Sequence, residues 1–186
     1  MLVPRKLTKL VLLMLISFVT LFIIYPLLHE LGHALATMLL GGRISGFSLS
    51  PLPHVESALP YNSPPIKTAV ISLSGMLFPV LLCIPFLKLQ RFGGYVVVLI
   101  LLISAIACVV ELCIAIQYAA GDIVENDDIV VFLEATAPAM RLSYLFTGGL
   151  ALICFILMAI SNPLTKLEQI ARPIKSSSRK YSGKNS

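Results

Sequence analysis

Apolar residues fill four stretches of this chain almost without interruption: Leu10–Leu28, Thr68–Leu87, Tyr95–Ala120 and Leu142–Ile160. Each matches the roughly 20 residues that a helix needs to cross about 30 Å of hydrocarbon. Only Glu111 and Gln117 break the third. The pattern predicts an all-α polytopic membrane protein with about four transmembrane helices. The first stretch does not end at Leu28, because Ala34 to Leu40 continue in good helix formers until Gly41-Gly42. A single helix from Lys9 to Leu40 would be about 48 Å long, well beyond the hydrocarbon core. Pro26 removes one backbone hydrogen bond and crowds the preceding turn, so a kink is expected there. From Gly41 to Pro65 the pattern changes to Gly, Ser and Pro. Arg43–Leu49 reads as a strand or short hairpin after the first helix, and Pro51, Pro53, Pro60, Pro64 and Pro65 exclude a helix. Such a segment can cover a neighbouring site or pair with an extended substrate strand.

Composition narrows the class. At 58% hydrophobic and 12% charged residues, an ordinary water-soluble domain is excluded. Residues 1–165 are expected to form one membrane-embedded domain, and residues 166–186 a basic, serine-rich, disordered tail. The net charge of +5 is unevenly spread. Arg5, Lys6 and Lys9 precede the first stretch, Lys88 and Arg91 separate the second and third, and Lys166, Arg172, Lys175, Arg179, Lys180 and Lys184 follow the fourth. The connection between the third and fourth is acidic instead, with Asp122, Glu125, Asp127, Asp128 and Glu134. Four crossings place all the basic segments on one side, which the positive-inside rule makes cytoplasmic. The expectation is a multi-pass protein of the cell membrane with both termini inside and the lipid bilayer as its surroundings. The first stretch is longer than a signal-peptide core, so it reads as an uncleaved anchor. The four cysteines fall within apolar stretches without metal-knuckle spacing and read as core residues. There is no basic patch with interleaved aromatics of the kind that nucleic acid requires.

The chemistry concentrates at His29-Glu30-Leu31-Gly32-His33, an H-E-x-x-H motif that uses two of the three histidines in the chain. On a helix, positions i and i+4 share a face, so both imidazoles can reach one metal ion, with Glu30 beside them to take a proton from a bound water. Two imidazoles leave a catalytic zinc one protein ligand short. Candidates on the same side of the membrane are His54, Glu56, Asp122, Glu125, Asp127 and Asp128. Asp122 stands at the membrane end of the third stretch, where a rigid helix can hold it, and is the preferred choice. Glu111, ionisable within an apolar run, must face the bundle or water and is a further possibility.

His29 to Ala34 at the end of a first membrane helix resembles the site-2 protease family of intramembrane zinc metalloproteases. The Gly41-Gly42-Arg43 turn with the strand-like segment after it, Gly121-Asp122, Asn126-Asp127-Asp128 and Ala137-Pro138 carry the same likeness. The size is similar to the compact branch without regulatory domains. The resemblance implies Zn²⁺ held by His29 and His33, Glu30 as general base, and a third, aspartate ligand on a later helix that maps to Asp122. The implied activity is hydrolysis of a peptide bond within or next to a transmembrane segment of a membrane-spanning protein substrate. Ser74 and Gly75 are the candidate substrate-binding residues. Counting Gly-x-x-x-Asn from Gly75 gives Pro79 where that family commonly has its Asn, so the oxyanion lacks an obvious side-chain donor other than zinc; Ser72, Ser74 and backbone amides are the substitutes. The rival class is a membrane protein that binds metal without hydrolysis, such as an inactive protease-like chaperone or a transporter.

Overall fold

A computed structural model describes residues 5–49, 53–122, 127–136 and 140–171. The described elements are α1 (Arg5–Val19), a π-helical stretch (Thr20–Ile24), α2 (Tyr25–Leu39), β1 (Arg43–Ser48), β2 (His54–Ala58), α3 (Pro65–Cys83) with a short 3₁₀ extension (Ile84–Phe86), α4 (Arg91–Ala119), α5 (Asp128–Thr136), α6 (Met140–Ser161) and α7 (Pro163–Ala171). Among the described residues, four helices are long and apolar enough to cross a membrane: Leu7–Leu39, Pro65–Phe86, Arg91–Ala119 and Arg141–Ser161. The architecture is all-α apart from one two-stranded hairpin after the first long helix. Large apolar side chains such as Leu145, Leu152 and Phe155 lie exposed on the outer faces. Lipid stabilises such a surface, whereas water penalises it.

The first long helix is adjusted earlier than the expected kink. Proline in a helix clashes with the carbonyl four residues before it. For Pro26 that residue is Phe22, inside the π-helical stretch, where the Tyr25 N–H reaches back to the Thr20 carbonyl. The wider turn takes up the strain, and its extra residue advances the helix face by about 100°. Everything after it, including the H-E-x-x-H face, is re-aimed relative to α1.

Glycine in the left-handed conformation stops both α2 and α4, at Gly41 and Gly121. In each case the next N–H returns to a carbonyl five residues earlier: Gly42 to Thr37 at 2.8 Å and Asp122 to Gln117 at 3.1 Å. This is the Schellman termination. The hairpin pairs β1 with β2 antiparallel, Arg43 opposite Ala58 and Ser48 opposite His54, with an irregularity between Ile44 and Gly46.

The core runs between α3, α4, α5 and α6, through Met76, Val80, Leu101, Ala105, Cys108, Ile129, Phe132 and Cys154. The cysteines are unpaired, and three of them are buried. Within the acidic connection, Ile129, Val130, Phe132 and Leu133 bury α5 against α3. The tail expected from residue 166 does not begin there, because Lys166 is buried in α7. Its ammonium donates to the Leu87 carbonyl at 2.8 Å, while Lys9 donates to the Ile170 carbonyl at 2.7 Å. Burial pulls the Lys166 ammonium below its ordinary pKa. Residues 172–186 lie outside the described residues.

α2 and α3 pack closely because Gly32 has no side chain. A Cβ there would stand 2.5 Å from the Ser74 carbonyl oxygen and 2.8 Å from the Phe78 Cβ. Gly32→Ala is therefore expected to cost about 1–3 kcal/mol of stability from overpacking, against a gain of about 1 kcal/mol in helix propensity. Thermal unfolding in detergent should show a net fall in midpoint.

Candidate metal centre

His29 and His33 lie one turn apart on α2, on the face turned towards α3 and α5. Their Nε2 atoms are 3.0 Å apart, and the Asp128 Oδ2 lies 2.9 Å from the first and 3.1 Å from the second. Three potential ligand atoms thus form a nearly equilateral triangle, and the group could hold a metal ion. The second nitrogen of His33 is committed: its Nδ1–H donates to the Ile71 carbonyl on α3 at 2.7 Å. That bond selects the tautomer whose Nε2 lone pair points into the triangle, the usual arrangement for a metal-binding imidazole. Lone pairs facing one another at 3 Å repel unless positive charge lies between them, so the cluster is built for a proton or a metal cation.

The sequence predicted Asp122 at this corner. Asp122 is instead exposed at the C-terminal end of α4, where Gly121-Asp122 is the helix stop. Asp128 occupies the corner because α5 begins there. The Asp127 side chain accepts from the Ile129 N–H at 3.1 Å and so caps the helix. That places Asp128 in the first turn, where the helix dipole favours a carboxylate. Burial would raise its pKa, but hydrogen bonds and charge from His29 and His33 outweigh it and hold the carboxyl well below the usual carboxylate range. The signal was present as Asn126-Asp127-Asp128 before Ile129–Leu133, a capping residue ahead of an apolar run.

Glu30 lies on the neighbouring face of α2. Its Oε2 accepts the Val55 backbone N–H of β2 at 2.8 Å and lies 4.0 Å from the His54 Nδ1. The hairpin is thereby anchored over the motif. Together these groups line a cleft of about 590 Å³, whose walls also include Ser57, Thr68, Ser72, Glu111 and Asp127. Glu111 does reach the site region, with its Oε2 buried and unpaired among the described residues.

Neither predicted substrate-binding residue lines the cleft. Ser74 turns its hydroxyl onto the Ile71 carbonyl, the same oxygen that receives His33. Gly75 packs beneath the imidazoles, and a Cβ there would collide with both rings. Ser72 lines the cleft instead, its hydroxyl donating to the Thr68 carbonyl at 3.0 Å. Ala137-Pro138 lies outside the described residues.

No family model matches the chain, and no curated protein or solved structure matches it. The site's own geometry therefore carries the functional argument.

Gly75→Ala should push the two rings apart. A loss of metal affinity of about 10–100-fold is expected, the scale seen when support around a ligand is removed. Titration of the detergent-solubilised protein with Co²⁺, read in the visible spectrum, checks it.

Proposed function

We propose that the chain is an intramembrane zinc metalloprotease that hydrolyses a peptide bond within or next to a transmembrane segment of a protein substrate. The observation that carries the reading is the triangle of His29, His33 and Asp128 with Glu30 one residue from its first corner. A tetrahedral zinc with ligands at about 2.0–2.2 Å has ligand atoms about 3.3 Å apart, and the observed edges of 2.9–3.1 Å suit an ion of that size. Two imidazoles and one carboxylate are also the donor set of catalytic rather than structural zinc, leaving a coordination position open.

Zinc bound there would supply a Lewis acid and a water whose pKa is lowered towards neutral. Glu30 would accept a proton from the attacking water as that water's oxygen bonds to the scissile carbonyl carbon. It then gives the proton to the amine nitrogen as the C–N bond breaks. The Val55 N–H orients the Glu30 carboxylate for this exchange. Because that N–H points away from β1, the free edge of β2 faces the cleft, with Ser57 and Leu59 on the same wall. An extended substrate segment can pair along it, which requires a substrate helix to unwind locally within the protein's shelter.

Glu30→Gln is expected to retain stoichiometric zinc and to abolish cleavage, since an amide of the same shape cannot accept the proton. Asp128→Ala should lose zinc, while Asp122→Ala should keep both zinc and activity. Zinc content by elemental analysis, together with cleavage of casein as an unfolded probe chain in detergent, distinguishes these outcomes. Cleavage by Glu30→Gln at the wild-type rate would remove the mechanism.

The same reading places both termini and Lys88–Arg91 in the cytoplasm, and Asp122–Glu134 on the opposite face, from the lysine and arginine asymmetry. Reporter fusions after residues 90, 128 and 180 should give cytoplasmic, external and cytoplasmic signals in that order.

A further inference from the structure

Peptide hydrolysis places negative charge on the carbonyl oxygen as the tetrahedral centre forms, and fixed donors aimed at that oxygen are usually the largest single contribution to catalysis. The chain has Pro79 where an asparagine donor was sought. Most polar side chains on the cleft wall cannot replace it. Glu30, Asp127 and Asp128 are acceptors when ionised. The Ser72 hydroxyl is spent on the Thr68 carbonyl. The wall contains no lysine, arginine, asparagine or glutamine among the described residues, so besides the short hydroxyls of Ser57 and Thr68 its donors are His29, His33 and His54. His29 and His33 belong to the metal triangle.

We propose that His54 is the second electrophile of the site, donating a ring N–H to the oxyanion from the β2 side of the cleft. This role presupposes the hydrolytic reading above. Three observations converge on it. The hydrogen bond from the Val55 N–H to Glu30 fixes the residue next to His54 against the general base, at 2.8 Å. The His54 Nδ1 consequently lies 4.0 Å from the Glu30 Oε2. The ring is also 67% exposed, which leaves it room to turn. A general base works within about 2.6–3.2 Å of the attacking water, and the attacked carbon is one bond further. A ring that stands against the same carboxylate therefore reaches the substituents of that carbon. A simple structural ion pair with Glu30 is a poor alternative, because an exposed pair at this separation contributes little.

The test uses the zinc-loaded full chain in detergent with two probes, casein for turnover and a phosphinic peptide whose tetrahedral phosphorus carries two oxygens like the transition state. His54→Ala should retain zinc, lower kcat on casein by about 100-fold with KM within about two-fold, and weaken the phosphinic peptide by a similar factor. His54→Gln, which keeps an N–H donor, should recover much of both. His54→Ala with unchanged kcat and phosphinate affinity, alongside an inactive Glu30→Gln, overturns the role of His54 and leaves the protease reading standing. Loss of zinc in His54→Ala makes the residue a ligand and likewise overturns it. An active Glu30→Gln removes the hydrolytic reading itself, and this role with it.

Discussion

The close approach of α2 to α3 is the constraint on which the site depends. Gly32 lets the α2 backbone meet the Ser74 carbonyl, and Gly75 leaves room for two imidazole rings above α3. Only at that separation can His33 donate to the Ile71 carbonyl and hold its other nitrogen towards a shared centre. A methyl group at either position would force the helices or the rings apart. In the sequence Gly32 is only a position of the motif and Gly75 a candidate substrate-binding residue; in the structure both act through packing. Here, packing also determines whether three ligand atoms meet.

The second requirement is to bring a carboxylate to half-buried imidazoles without leaving it uncompensated. A lone carboxylate in an apolar interior is costly. Asp128 is tolerated because α5 starts beneath it, Asp127 caps that helix, and two imidazoles share its Oδ2. The burial of Ile129, Val130, Phe132 and Leu133 then holds α5 in the bundle. Removing that apolar anchor would withdraw the Asp128 carboxylate from the imidazoles as effectively as mutating it.

The third element is the hairpin. Its strands are short and its outer residues are mostly exposed, yet Val55 is buried and its N–H bonds to the Glu30 carboxylate of the motif. The same contact orients Glu30, presents the free edge of β2 to the cleft and brings His54 beside the carboxylate. The Gly-, Ser- and Pro-rich segment, which the sequence suggested could cover a neighbouring site, is one wall of the cleft.

Much of the fold was legible in the sequence, because its determinants are local. Continuous apolar length defines the four long helices, Gly41-Gly42 stops the first of them, and prolines exclude a helix between Gly41 and Pro65. The H-E-x-x-H spacing puts two imidazoles on one helical face without reference to anything else in the chain. The third corner was not local. Asp122 and Asp128 are both carboxylates between the same two long helices, and rigidity alone favoured Asp122. The choice depended on Gly121-Asp122 ending α4 in a Schellman turn that faces outward, while Asp127 started a new helix that re-enters the bundle. Proline at position 26 forecast a distortion, but the helix widened one turn earlier, because the clashing carbonyl belongs to Phe22. Helix and stop signals act over a few residues and can be read in order along the chain. Which carboxylate meets the imidazoles, which glycine lies beneath them and which strand covers Glu30 depend on contacts between residues dozens of positions apart, and only the packed structure decides those.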